Sequence, residues 1–446
     1  PVSTDCHCRS DRRVTLHLDW ISFAMDASAY HPQTPAERLV ARTIEYTWLL
    51  WLLGALYIVG PVLGWVLSVL ACLTLYLSSR DTATADTRTF SSIAGLWLVA
   101  MAAMLVILWV GHSTNELGAG KTIKSSIGWA KGWALIALFI FAGATLQVRA
   151  EVIYRAVCRL GLQTLVLVPL FIAAPYAGLP EQLWVSPLKF LGGAGPEYFA
   201  ATLYTIEPGA GTPRWQFFAP WSPAAGLMGV IYVLLSSQEQ HRGWRLIGIA
   251  AGLVLAVLSQ SRLALIALIV IVPTVRAIAR ANRGYVWLIA APVLLFAGLF
   301  GPTMLELIDA AIAEFSAARA DSSRVRATLG RIAIERWQNE AFWFGHGTVE
   351  NGPHLVEYMP IGSHHSWYGL LFVKGLLGAI ALAVPLGLTV ICLAYRATTL
   401  PIARVGLGLS LALVLYSFGE NLEILAYLYW PILLIIGTAF GSKKRT

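Results

Sequence analysis

Four of the chain's nine histidines, His346, His354, His364 and His365, fall inside 346–365. They lie in the polar segment 304–366 with Arg319, Arg324, Arg326, Arg331 and Arg336. A neutral imidazole, with an ordinary pKa near ~6.5, can take a proton from a hydroxyl near neutral pH. Guanidinium stays charged and presents a planar fork of donors to phosphate oxygens. Together these residue types suit an anionic substrate, and the apolar runs on both sides of the segment point to a lipid-borne one. A metal site is not expected, because adjacent His364 and His365 rarely share one ion and no His-x-x-x-His pair occurs. Glu350 and Glu357 have no ligand spacing, and the chain has no Asp-x-Asp pair, which disfavours a metal-dependent transferase using sugar nucleotides. No cofactor is expected.

The elements that must carry these groups are membrane helices. Apolar residues make up 57% of the chain and charged ones 13%, and the mean hydropathy is +0.67; this composition belongs to polytopic membrane proteins. A hydrocarbon core needs ~20 apolar residues per helix. The expected fold is all-α, with about twelve spans at 44–60, 61–77, 92–111, 128–147, 160–179, 219–236, 245–260, 263–279, 284–302, 367–394, 403–419 and 424–440. The runs are continuously apolar and do not alternate, which favours helices over a barrel. Gly60-Pro61 makes either a tight turn between the first two spans or a kink in one element.

Positive charge sets the expected orientation. With a cytoplasmic N-terminus the inner connections hold Arg80, Arg88, Arg149, Arg155, Arg159, Arg242, Arg245, Arg276, Arg280, Arg283, Arg396, Arg404, Lys443, Lys444 and Arg445. The short outer turns hold only Lys121, Lys124 and Arg262. Both long loops, about 180–218 and 304–366, then face the far side. The net charge of +8 is thereby a topology signal, and no nucleic-acid partner is expected. The parts are an N-terminal tail 1–40, a bundle 41–303, the large loop 304–366, C-terminal helices 367–440 and a tail 441–446. Met25 offers a second start, and Cys6-His7-Cys8 is an incomplete ligand set. Cys72, Cys158 and Cys392 read as small apolar fillers, with no disulfide framework.

Within the large loop, Leu305, Ile308, Ile312 and Phe315 make one apolar helical face. Asp321-Ser322-Ser323 reads as a break and N-cap before a second amphipathic helix over 324–337, with Leu329, Ile332 and Trp337 as its buried stripe. Gly345-His346-Gly347 and Asn351-Gly352-Pro353 impose turns. The expectation is a membrane-held lid that ends at His364.

Gly362-Ser363-His364-His365-Ser366-Trp367, followed by Lys374-Gly375-Leu376-Leu377-Gly378, resembles the His-Asn…Gly-Leu-Leu-Gly signature of the O-antigen ligase and polymerase superfamily. Register with Gly375 and Gly378 aligns His364 with the family's histidine, and His365 stands where an asparagine is usual. Ser259-Gln260-Ser261-Arg262 is similar to the family's Thr/Ser-x-Ser-Arg turn, and Gly330-Arg331…Trp337…Phe344-Gly345-His346-Gly347 to its Gly-Arg…Trp…Gly-x-Gly loop. Arg214…Pro220 is similar to its Arg-x-x-Gly-x-x-x-x-Pro segment without the glycine.

The resemblance implies a bacterial inner-membrane glycosyltransferase with a periplasmic site in the long periplasmic loop. It would move O-polysaccharide from undecaprenyl diphosphate to a lipid A-core sugar. Such a donor carries its own leaving group, so transfer needs positioning, removal of a hydroxyl proton and neutralisation of the departing diphosphate. His364 is the expected general base, with His365 as alternate base or acceptor contact. Arg262 and Arg331 are the expected diphosphate clamps, with Arg214 a third. An O-antigen polymerase differs only in acceptor; a lipid-linked glycan transporter would put ionisable groups at mid-membrane and show inverted repeats. Lys374, Glu420 and Glu423 near the outer span ends could snorkel, pair with each other or touch a sugar.

Overall fold

The computed structural model describes residues 30–80, 91–193, 195–207, 211–301, 303, 306 and 320–441. The Cys6-His7-Cys8 tail, the stripe Leu305, Ile308, Ile312 and Phe315, Arg319, and Lys443, Lys444 and Arg445 lie outside them. The described chain is an all-α membrane protein, with seven helical stretches long and apolar enough to cross a bilayer, Gly118–Leu146 counted as one.

Helix α1 (Pro35–Glu45) starts with a capping box between Thr34 and Glu37, and a short α2 (Thr47–Leu52) follows it. α3 is Leu56–Arg80, α4 Ser92–Thr114, α5 Gly118–Lys131, α6 Trp133–Leu146 and α7 Ala150–Ala173. The α1–α2 pair climbs the whole of α7. Glu37 binds Arg149 at 2.8 Å, Glu45 binds Arg159 at 2.6 Å, and the Trp48 indole donates to Thr164 at 3.1 Å. Both Trp48 and Trp51 then pack on Phe171. A 24-residue helix is roughly 36 Å long, and 35–52 lies along most of it. The expected 44–60 and 61–77 spans are thus redrawn. Gly60-Pro61 lies inside the continuous α3, and Gly60 is where the Tyr427 backbone comes closest.

Between α7 and α8 (Ser222–Ser236) the chain forms two small hairpins. β1 (Gln182–Val185) pairs antiparallel with β2 (Ala200–Thr202), and β3 (Thr205–Ile206) with β4 (Pro213–Arg214). α9 (Arg242–Leu258), α10 (Arg262–Ala279) and α11 (Gly284–Leu299) follow. α12 (Ala320–Glu340), α13 (Ser366–Ala397), α14 (Pro401–Ser417) and α15 (Leu422–Gly441) complete the described helices. α15 is the central helix, packed on α6, α14 and α3, with Gly143 and Gly437 letting the α6 and α15 backbones close on each other.

α12 departs from expectation at its start, running through Asp321-Ser322-Ser323 without a break. Its apolar stripe is Val325, Leu329 and Ala333; tertiary burial of that stripe outweighs the weak local preference of the polar residues. Val325 and Leu329 pack on Val356, and Ala333 on Ile361 and Phe372. Trp337 is only half-buried, stacked on Phe342 and donating to its carbonyl at 2.7 Å.

Candidate functional site

A break in α13 organises the site. Gly375 has φ +64° and ψ −166° inside the helix, which frees backbone groups on either side of it. The turn 342–347 takes them up. His346 N donates to Phe372 O at 2.8 Å and Gly347 N to Val373 O at 2.9 Å, while Leu376 N donates to Phe342 O at 2.9 Å and Leu377 N to Trp343 O at 3.3 Å. Irregular backbone in a membrane helix persists where neighbouring protein satisfies it. A Cβ on Gly345 or Gly375 would strike the backbone of the other partner, so the two glycines form one joint.

The four histidines separate by environment. His346 is part of the joint: its ring stacks on Phe372, Nδ1 lies 3.0 Å from Phe372 O and Nε2 2.8 Å from Glu340. Glu340 also binds Arg336, which reaches Glu350 at 2.6 Å. Exposed His354 meets the Tyr358 ring edge-on. His365 is the N-cap of α13, its Nδ1 accepting from Tyr368 N at 3.2 Å and its ring stacked on Tyr368 at 3.7 Å. That leaves His364, half-buried, with no hydrogen bond from its ring among the described residues. Its backbone is left-handed at φ +62°, a conformation that costs a non-glycine residue about 1–3 kcal/mol and clusters at functional sites. Burial, and then the neighbouring Arg326 guanidinium, hold its imidazole down at about 4.

Arg326 is the arginine that the loop brings to His364, and it makes no hydrogen bond or ion-pair contact among the described residues. Its charge also reaches Glu420. Once the buried stripe is known, helical register explains the choice: at 100° per residue Arg326 lies about 20° from Ala333 and about 60° from Leu329, whereas Arg331 lies about 160° from each. Arg331 is accordingly exposed, its guanidinium bonded among the described residues only to Thr328 at 3.4 Å.

Glu420, 1% exposed, sits just before α15. Trp221 Nε1 donates to its carboxylate at 2.8 Å. Ser366, the first residue of α13, donates to its carbonyl at 2.7 Å and accepts from Leu422 N at 2.9 Å, tying the starts of α13 and α15 together. Burial pushes the Glu420 carboxyl up to about 7, against the pull of Arg326, the Trp221 hydrogen bond and Arg214. Arg214 pairs with Glu207 at 2.5 Å and donates to Ser259 O at 3.4 Å, and Gln260 donates to Pro213 O at 3.3 Å. Hairpin β3–β4 is thereby fixed to the turn before α10. Ser261 caps α10 by accepting from Ala264 N, and half-buried Arg262 is the first helical residue. Leu263 beside it touches Gly419.

Arg214, the Arg262 turn, Glu420, Arg326 and His364 therefore gather at one end of the bundle, and Arg331 stays outside. The basic end is opposite: α7 runs from Arg149 to Phe171, whose carbonyl receives the Trp215 indole at 2.6 Å, while α8 runs from Trp221 to the Arg155–Glu239 pair. The gathered groups offer a neutral base, a guanidinium without an ion-pair contact among the described residues, and a carboxyl that titrates near neutrality. Among the described residues no three His, Cys, Asp or Glu side chains come together as a metal site would require. No known family model matches the chain, and no curated protein matches it.

Proposed function

We propose that this chain is an O-antigen ligase-like glycosyltransferase of the bacterial inner membrane, acting on the periplasmic side. It moves a glycan from undecaprenyl diphosphate to a hydroxyl of a lipid A-core acceptor. The observation that carries the reading is the His364 imidazole beside the Arg326 guanidinium, neither with a hydrogen bond or ion pair among the described residues, at the end of the bundle opposite Arg149 and Arg155. His364 takes the acceptor proton. Arg326, with Arg214 and Arg262, meets the diphosphate as charge builds on the leaving oxygen. On this reading α1–α2 and α5–α6 count as one crossing each, twelve in all, and the basic end lies in the cytoplasm by the positive-inside rule.

The test is purified protein in detergent with lipid-linked glycan and two separate acceptors, lipid A-core and a second lipid-linked glycan. Glycan on lipid A-core supports ligation; growth of the lipid-linked chain means polymerisation; no transfer to either overturns the reading.

A further inference from the structure

The turn 342–347 carries an aromatic patch that the bundle does not cover. Phe342 and Trp343 are exposed and Trp337 is half-buried; the Phe342 ring stacks on Trp337 at 4.9 Å and meets Trp343 edge-on at 5.1 Å. Large apolar rings clustered on a surface mark a place of contact. The backbone beneath them is fixed, because the Phe342 and Trp343 carbonyls accept from Leu376 N and Leu377 N of α13. The patch therefore sits at a defined height on that helix. Below that height α13 turns one apolar face outward: Ile380, Val384, Leu388 and Ile391 recur every three or four residues, all exposed, and the face closes with Tyr395 beside Arg396. From Leu377 to Tyr395 the helix rises about 27 Å, close to the ~30 Å of a hydrocarbon core.

Neighbouring helices repeat the pattern. In α4, Val99 and Val106 are exposed, and exposed Trp109 lies two residues before Gly111, which faces the Phe344 carbonyl. At the basic end, α3 closes with exposed Tyr76, the Arg80 guanidinium over its ring at 4.5 Å. Aromatic rings gather at both membrane–water boundaries, and arginines near span ends reach out to the headgroups. We infer that Trp337, Phe342 and Trp343 form a membrane-interface anchor, seated in the headgroup layer of the leaflet at the site end. The partner is the bilayer, because the patch continues the lipid-facing stripe that Tyr395 and Arg396 close at the other boundary. A sugar platform is disfavoured by the stacking, since Trp337 and Phe342 each cover one face of the other. The joint of Gly345 and Gly375 is thereby held at one depth from the lipid side as well as from the bundle side.

The test is hydroxyl-radical footprinting, read by peptide mass spectrometry, of the purified full-length protein in nanodiscs of phosphatidylethanolamine and phosphatidylglycerol that hold one copy each. Trp343 and Tyr358 are open to nearly the same degree in the protein, at 57% and 60% of their free accessibility, and an indole reacts with the radical at least as fast as a phenol. Protection of Val384 shows that lipid covers the α13 stripe. Trp343 should then be oxidised several-fold less than Tyr358. Equal oxidation of the two overturns the inference. So does a Trp343 that is oxidised in the nanodisc and protected only when lipid-linked glycan is added, which would make the patch a sugar platform. No readout depends on glycan transfer, so the anchor and the proposed function can fail separately.

Discussion

At the residue scale, neighbouring imidazoles have been given different work by their surroundings. His365 spends its Nδ1 on the α13 cap and its face on Tyr368, so His365→Asn, which can also cap, should keep most activity. His364→Ala should lose about 10²- to 10⁴-fold in turnover, the usual worth of a general base, with donor binding retained; turnover of each purified variant decides it. Full activity of His364→Ala would sink the assignment.

The charges around His364 also set a pH signature. Burial and Arg326 depress its imidazole, and the base stays neutral until the pH falls through about 4, while Glu420 exchanges its proton near 7. Arg326→Gln removes a cation that favours neutral His364 and ionised Glu420. Both groups should then hold their protons to higher pH, and the acid limb of the rate profile should shift upward. Arg331→Gln should leave that limb in place. The residue types of this site were legible in sequence, and His364 was singled out by register with the glycines. Arg326 was not, because five arginines share one segment, and only the burial of Val325, Leu329 and Ala333 says which of them turns inward.

At the element scale, the site depends on a helix that does not hydrogen-bond to itself throughout. Gly375→Ala puts a side chain at positive φ, which costs about 1–2 kcal/mol for the backbone alone, and drives it into Trp343 and Phe344. The expected result is loss of transfer and a lower melting temperature in detergent; a variant that melts and turns over as wild type would show that the joint is dispensable. The glycines read in sequence as a family mark, and their physical reason appears only when 342–347 is seen paired with 372–377. Gly60-Pro61 was similarly ambiguous. A proline can end a helix or sit within one, and α3 runs through Pro61, with the Tyr427 backbone where a Cβ on Gly60 would lie.

At the scale of the molecule, composition gave the membrane class, and apolar runs that are continuous and do not alternate gave helices over a barrel. The hairpins over 182–214 were not foreseen, because strands of two to four residues carry too little alternation to stand out. In the proposed reaction the arginines at the site end would supply the positive charge that other transferases draw from a metal. Transfer should therefore persist in excess EDTA, and activity lost on chelation but restored by magnesium, manganese or zinc would reopen the histidine cluster as a metal centre.

The exchange of backbone bonds between 342–347 and 372–377 has a consequence for the chain as a covalent object. What holds the turn 342–347 to α13 is a seam, and the peptide that connects them passes through exposed Leu355, at 60% of its free accessibility. A protease site introduced there could be cut with both edges of the seam still joined and Val356 still seated against Leu329. The two fragments should elute together from a sizing column in detergent and go on transferring glycan. Their separation would mean that connectivity, and not the seam, keeps the lid in place.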